Sequence, residues 1–162
     1  MKRKALAITL AAAMAMGTCA VTASAADGDK YTIGICQLVQ HEALDAATQG
    51  FKDEVTKELG EDAVTFDEQN AQGDSNTCST IINSFVSNNV DLILANATPA
   101  LQAAAAGTSD IPILGTSVTE YGVALGLDDF DGTVGGNISG TADLAPLDEQ
   151  AAMLQELFPD AK

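Results

Sequence analysis

Short apolar segments alternate along the chain with segments whose apolar residues recur at helical spacing, and this alternation constrains the fold more than any other feature. The segments with the length and composition of β-strands are residues 31–38, 64–68, 90–95 and 111–115. Leu44, Phe51, Val55 and Leu59 lie on one face of a helix between the first two. Strands and helices that alternate in this way form βαβ units with right-handed crossovers. The sequence therefore predicts an α/β fold, a parallel sheet with helices on both faces.

The predicted helices have recognisable ends. Gly60 ends the first helix, and Asp74 is a favoured N-cap for the second. Thr98 is the predicted N-cap of the third helix, which ends at Gly107. Pro99 is tolerated in the first turn because its missing N–H has no partner there.

The last forty residues are rich in glycine and aspartate before helical spacing returns. Three aspartates within residues 128–131 faintly resemble a calcium loop, but Leu127 and Ile138 occupy positions that need oxygen ligands, so an acidic turn exposed to solvent is expected. Residues 135–138 are predicted to be an extended connection. A further helix is predicted at residues 146–157.

The N-terminal segment has the composition of a secretory signal. Basic residues 2–4 precede an apolar run at residues 5–16, and Ala-Ser-Ala follows at residues 23–25. We therefore expect a signal peptide over residues 1–25 and a short polar linker over residues 26–30. The product is expected to be exported, to the periplasm or the cell surface.

Cys19 offers an alternative form of export, in which cleavage before this cysteine leaves a lipid anchor. The residues before it, Met16, Gly17 and Thr18, fit a lipoprotein site poorly. Cleavage after Ala25 is therefore the preferred prediction, and lipid attachment at Cys19 stays open.

The charge of the chain bears on its partners. There are 7 basic and 23 acidic side chains, a formal net charge of -16, and the only basic cluster is at residues 2–4. Binding to nucleic acid needs a basic face that neutralises phosphates. Nucleic acid is therefore excluded as a partner.

Two cysteines remain beyond the leader, Cys36 and Cys78. Each lies in an apolar pattern, one in a strand and one in a helix, where a cysteine behaves as a small buried hydrophobic residue. Free buried thiols are expected, although an exported chain could pair them in a disulfide.

Polar side chains follow each predicted strand. They are Gln37, Gln40 and His41 after the first, Asn70 and Gln72 with Gln69 after the second, Asn96 and Thr98 after the third, and Thr116, Ser117 and Thr119 after the fourth. In a parallel sheet these loops meet at one edge, where ligands bind. Free N–H groups at the helix starts favour a carboxylate or another anion. A small polar or zwitterionic ligand fits this lining.

Catalytic and cofactor motifs are weak by comparison. The chain has one histidine, which disfavours a metal site, and it lacks a dinucleotide fingerprint and a phosphate-binding loop. Cys36 and His41 are five residues apart with no evident third group to orient them. Cofactor-dependent enzymes are therefore disfavoured, and no cofactor, metal or catalytic residue is expected.

Several segments together resemble the ABC-transporter substrate-binding proteins of the tryptophan/tyrosine-binding type. Residues 33–45 resemble the opening of that family, where Glu-His-Pro-Ala-Leu-Asp is common and where Gln40 and Glu42 depart from it. Residues 69–74, 91–95, 97–100 and 136–143 resemble later signatures. The similarity covers residues 31–162.

The resemblance implies a two-lobed periplasmic-binding-protein fold of which this chain supplies the N-terminal lobe. Residues 31–135 are that lobe on this interpretation, and residues 136–162 are a crossover and the first helix of a second lobe that is missing here. A reading frame that continues past Lys162 is expected. The isolated chain is expected to bind its ligand weakly or undetectably and to self-associate.

The resemblance also implies a function, namely binding a small amino acid or a similar zwitterion outside the cytoplasm and delivering it to an ABC permease in the membrane. The implied contact residues are Gln40, His41, Asn70, Gln72, Thr98, Ser117, Thr119 and Asp143. With no tryptophan and two tyrosines in the chain, Tyr121 is the one candidate for stacking on an aromatic ligand.

Two other functions stay open from the sequence. One is a secreted hydrolase with Ser117 or Cys36 as the nucleophile. The other is a sensor lobe that docks on a membrane kinase.

Overall fold

The computed structural model describes residues 30–159. Its centre is a sheet of five parallel strands in the order β2-β1-β3-β4-β5. The strands are β1 (Tyr31–Gln37), β2 (Val64–Asn70), β3 (Leu92–Asn96), β4 (Ile113–Val118) and β5 (Ile138–Ala142). The helices are α1 (Glu42–Leu59), α2 (Ser75–Ser87), α3 (Thr98–Gly107), α4 (Tyr121–Leu125) and α5 (Leu147–Leu157), with a short 3-10 turn at Glu61–Ala63. The predicted α/β class is confirmed.

Helices cover both faces of the sheet, as the sequence predicts. On one face Ile33 and Ile35 of β1 pack with Phe51 and Val55 of α1. On the other face the core is formed by α2, α3 and α4, with Phe85 fully buried. Successive residues of a strand point to opposite faces, so β1 contributes to both cores.

Gly34 explains how α2 approaches the sheet so closely. A Cβ at this position would lie 2.7 Å from the ring of Phe85. The missing side chain is what lets that ring rest against the strand.

β5 was not predicted as a strand, since an extended connection was expected near its start. Ile138–Ala142 instead pairs with β4 as a fifth parallel strand, with an irregular register between Gly115 and Val118. The side chain of Asn137 anchors the start of this strand by donating to the carbonyl oxygens of Thr108 and Ile111, at 3.2 and 2.7 Å.

α5 confirms the helix predicted at residues 146–157, and every residue in it is exposed. Its apolar side chains Leu147, Met153, Leu154 and Leu157 are more than half exposed. No helix between residues 30 and 159 combines the length and hydropathy that a membrane crossing requires.

The predicted leader over residues 1–25, the linker residues before Lys30 and the alternative lipid site at Cys19 lie outside the described residues. The last three residues of the chain lie outside them as well.

Candidate functional site

The carboxyl ends of the five strands form one edge of the sheet, and the predicted contact residues lie along it. Parallel pairing places every strand end on the same side. The residues found there are Gln40 and His41 after β1, Asn70 and Gln72 at the end of β2, Thr98 after β3, Ser117 and Thr119 at the end of β4, and Asp143 after β5. The fold thus brings all eight to the same edge.

Backbone hydrogen bonds connect the loops along this edge. Leu38 N–H donates to the carbonyl oxygen of Asn96 at 3.2 Å, and Ala97 N–H donates to that of Thr116 at 3.0 Å. At the far end Asp143 N–H donates to the carbonyl oxygen of Val118 at 3.0 Å. The candidate residues are therefore carried on loops that are fixed to neighbouring strands.

His41 is the N-cap of α1. Its Nδ1 accepts a hydrogen bond from the Ala43 N–H at 3.2 Å. A neutral imidazole that accepts at Nδ1 carries its proton on Nε2. His41 and the adjacent Gln40 are both exposed, so each can offer a donor at the edge.

Asn70 and Gln72 form one turn at the end of β2. The Oδ1 atom of Asn70 accepts from the Gln72 N–H at 2.8 Å, and Gln72 takes a left-handed conformation with φ of 53°. The predicted cap Asp74 is confirmed, since its carboxylate accepts from Asn76 and Thr77 N–H at 2.6 and 3.0 Å. Asn70 keeps its amide donors, because only its oxygen is used here.

Thr98 is the first residue of α3 rather than its N-cap, which corrects the prediction. Ala97 occupies the cap position with φ of 94° and ψ of 157°, because its N–H is bonded to the carbonyl oxygen of Thr116. Alanine has no side-chain acceptor, so α3 has no side-chain cap. The helices that follow β1, β2 and β4 are capped by His41, Asp74 and Glu120.

Ser117 lies within β4 and not in the loop beyond it, which is a second correction. Its φ of 55° is left-handed and coincides with the shift in the β4–β5 register. Thr119 is exposed in the following loop. Among residues 30–159, the side chains of Ser117, Thr119, Thr98 and Asp143 form no hydrogen bond, so all remain open to a ligand.

Tyr121 is a core residue and not a stacking wall. It begins α4, is 5% exposed, and its hydroxyl donates to the carbonyl oxygen of Thr141 at 3.3 Å. Burial raises the pKa of its phenol, and the charge of Asp143 raises it further. A ring enclosed in this way cannot stack on a ligand at the sheet edge.

A buried polar cluster lies beneath the edge and was not predicted from the sequence; it is formed by Gln37, Thr48 and Asn96. Gln37 and Asn96 were expected in loops, but they are the last residues of β1 and β3 and are buried. Thr48 could have been found, because it interrupts the apolar face of α1 between Leu44 and Phe51.

A groove of about 630 Å³ runs along β5 beside α4, lined by apolar residues that include Phe130, Val134, Ile138 and Leu144. Of the predicted contact residues, it includes only Thr119. The groove lies along β5, the last strand of the sheet, and so is separate from most of the predicted contact residues.

The structure also bears on the metal and hydrolase alternatives. No cluster of three potential metal ligands occurs in the described part of the chain, and Asp131 uses a carboxylate oxygen to accept from the Thr133 N–H at 3.0 Å. Cys36 is fully buried and its thiol is free. Burial and the neighbouring Cys78 raise the pKa of the Cys36 thiol well above its ordinary value, which disfavours a nucleophilic thiolate.

A parallel α/β lobe with polar side chains collected at the carboxyl edge of its sheet is the architecture typical of a small-molecule-binding lobe. The chain belongs to the ABC transporter substrate binding protein family, whose model matches residues 32–162.

Known relatives support this assignment. A tyrosine-binding protein of Clostridioides difficile (strain R20291) is 43% identical over 134 residues, which are 80% of this chain and 38% of that protein. The ligand-free, open structure of a Clostridium difficile substrate-binding protein with adhesive properties is 40% identical, with a TM-score of 0.70. A Streptococcus pneumonia ABC domain in complex with L-Trp is 32% identical, with a TM-score of 0.75.

The two structures share the periplasmic-binding-protein fold with this chain over 82% and 83% of its length. In each comparison the match covers 45% of the other chain. This chain therefore spans less than half the length of the relatives it matches.

Proposed function

We propose that this chain forms one ligand-binding lobe of an extracytoplasmic receptor that binds a small amino acid or a similar zwitterion and delivers it to an ABC permease. The observation that carries the proposal is the start of α3, which lacks a side-chain cap and lies at the end of the central strand β3. The relatives that bind tyrosine and L-Trp support the same ligand class.

The start of α3 suits a carboxylate. The N–H groups of a first helical turn have no partner within the helix and carry a positive partial charge. Here Thr98 offers such a group, whereas Pro99 has no N–H and Ala100 is fully buried. In a chain with net charge -16, this helix start is what would attract an anionic ligand group.

Hydroxyl groups on the next strand extend this donor set. Ser117 lies near the end of β4 and Thr119 just after it, and β4 pairs directly with β3. Their hydroxyls can donate to a carboxylate or accept from an ammonium group, so they suit a ligand that carries both.

Asp143 supplies the opposite charge. It follows β5, one strand beyond β4, and its carboxylate has no hydrogen-bond donor among residues 30–159. A carboxylate at one end of the edge and helix donors at its centre match the two charges of an amino acid. Gln40, His41, Asn70 and Gln72 would contact the ligand from the β1 and β2 side.

We assign no bond chemistry to this site. The hydrolase alternative needs a nucleophile beside a base, but Cys36 is buried and the Ser117 hydroxyl has no partner among residues 30–159. Incubation with chromogenic esters and peptides is expected to give no turnover. Turnover that disappears in Ser117→Ala would contradict a pure binding role.

An NMR titration tests the proposal, since it detects binding even at millimolar affinity. L-amino acids are added to the labelled chain, with simple sugars and oligopeptides as controls, and the amide signals of Thr98, Ala100 and Ser117 are followed. We expect shifts with amino acids and none with the controls. A response to sugars, or no response to any amino acid, would overturn the proposal.

A further inference from the structure

We propose that Gln37, Thr48 and Asn96, together with Asp45, form a positioning network that holds the β1–α1 loop and the start of α3 in their ligand-binding arrangement. The inference rests on the proposed function and adds residues that do not themselves touch the ligand. Throughout, this set of four is called the strand-end network.

Thr48 is at the centre of the strand-end network. Its hydroxyl donates to Oε1 of Gln37 at 2.6 Å and accepts from Nδ2 of Asn96 at 2.9 Å. The same Nδ2 donates to the carbonyl oxygen of Leu44 at 2.8 Å. One hydroxyl of α1 thus joins the last residues of two adjacent strands, β1 and β3.

Gln37 extends the network to the loop. Its Nε2 donates to the carbonyl oxygen of Val39 at 3.0 Å and to Oδ1 of Asp45 at 2.6 Å. Val39 directly precedes Gln40 and His41. The loop that carries two predicted contact residues is therefore bonded to the buried cluster.

Asn96 extends the network in the other direction along the chain. It is fully buried and directly precedes Ala97, the strained residue before α3. Its carbonyl oxygen also accepts from the Leu38 N–H at 3.2 Å. Asn96 consequently ties the β1–α1 loop to the helix start that we propose receives the carboxylate.

The location of the buried polar residues indicates that they serve the binding site and not only the stability of the fold. Apart from the cysteines and Tyr121, the buried polar side chains within residues 30–159 are Gln37, Thr48 and Asn96, and all three lie together at the binding edge. A buried polar cluster with an unsatisfied member is less stabilising than apolar packing. Oδ1 of Asn96 is buried without a partner in the described residues, so stability alone does not account for the arrangement.

Two substitutions of one residue separate positioning from packing. Thr48→Val keeps the side-chain volume and removes the hydroxyl, whereas Thr48→Ser keeps the hydroxyl and removes a methyl group. Ile82→Val in α2 is the matched control, because it removes a buried methyl group from the opposite face of the sheet.

Two readouts are measured on each variant. Hydrogen exchange of the Ala43 amide, which donates to His41, reports the order of the loop. The NMR titration with L-amino acids reports affinity. In Thr48→Val we expect exchange at Ala43 to rise about tenfold and affinity to fall about fivefold, the scale of one lost hydrogen bond. In Thr48→Ser and Ile82→Val both are expected to stay within about twofold of the unsubstituted chain.

The outcomes are distinct. If Thr48→Val leaves exchange unchanged, or if Thr48→Ser changes it equally, the network has no positioning role. If no amino acid binds the unsubstituted chain, the proposed function is wrong. Hydrogen exchange of the Ala43 amide in Thr48→Val still shows whether the network orders the β1–α1 loop. Should Thr48→Val not fold, Asp45→Asn weakens the bond to Gln37 from an exposed position and is expected to raise exchange at Ala43 in the same direction.

Discussion

The backbone of Gly115 lies directly against the hydroxyl of Tyr121, with no space for a side chain between them. A Cβ at Gly115 would collide with the phenol oxygen, and its distance to Cζ would be 3.1 Å. Because the same hydroxyl donates to Thr141 in β5, this contact sets how α4 packs over the β4–β5 pair.

Gly115→Ala is expected to destabilise the chain by about 1–3 kcal/mol, the usual range for overpacking a core. Removing the oxygen that collides should restore part of the loss, so the double variant Gly115→Ala with Tyr121→Phe is expected to be more stable than Gly115→Ala alone. Urea unfolding of the single and double variants measures this. Equal stability of Gly115→Ala and the unsubstituted chain would contradict the packing described.

Alkaline pH should destabilise the fold through Tyr121. Burial and the Asp143 charge raise the pKa of this phenol in the folded state. The folded chain therefore holds the proton more tightly than the unfolded chain, and this contribution is complete below the ordinary tyrosine pKa. It is lost as pH rises through the folded pKa. Urea unfolding is measured at several pH values across that range. The free energy of unfolding is expected to fall less with rising pH in Tyr121→Phe than in the unsubstituted chain.

Asp143→Asn provides an independent measure of the same electrostatic contact. Neutralising that side chain removes one of the causes that raise the Tyr121 pKa, so spectrophotometric titration of the phenol should give a lower value. An unchanged titration curve would mean that Asp143 does not act on Tyr121.

The thiols of Cys36 and Cys78 should resist modification while the chain is folded. Both are buried, and burial raises both pKa values, so the thiolate that reacts is scarce at neutral pH. A thiol reagent is expected to react with both only after denaturant is added. Rapid reaction of the native chain would contradict the burial of these thiols, and a missing reaction after unfolding would indicate a disulfide.

Thr98→Ala should weaken amino acid binding by about 1 kcal/mol or more, the scale of a hydrogen bond to a charged group. Thr80→Ala is the matched control, since Thr80 is an exposed threonine on α2 that bonds only within its own helix. Calorimetry or the NMR titration compares the two. Equal affinities would remove Thr98 from the site while leaving the fold unaffected.

The mature chain is expected to begin at Ala26. Intact-mass measurement of the exported product tests this cleavage position. A mass that corresponds to a lipid-modified chain beginning at Cys19 would establish the alternative anchor.

Local signals predicted much of this fold, because they act within a few residues. Helical spacing identified α1 and α2, and Asp74 was recognisable as a cap from its residue type alone. The parallel topology then placed seven of the eight contact candidates at one edge without any knowledge of side-chain positions. Asp143 was implied only by the family resemblance, because it follows β5, which was not predicted.

Features that depend on contacts distant in sequence were not predictable in the same way. The burial of Asn96 depends on Thr48, 48 residues earlier, and that of Tyr121 depends on a strand that begins at Ile138. β5 itself has a glycine and exposed residues, so neither alternation nor hydrophobicity identifies it. The cap at Ala97 likewise reflects a bond to Thr116 rather than a local preference.

The conformation of Ala97 has a consequence for how tightly any ligand can be held. Its φ of 94° with ψ of 157° falls in a region that side-chain-bearing residues rarely occupy, at a typical cost of about 1–3 kcal/mol. The bond from its N–H to Thr116 in β4 holds it there, so the first turn of α3 is ordered when the chain folds. A carboxylate that binds at this helix start would therefore not have to order it, and the free energy of binding would not be reduced by that conformational entropy.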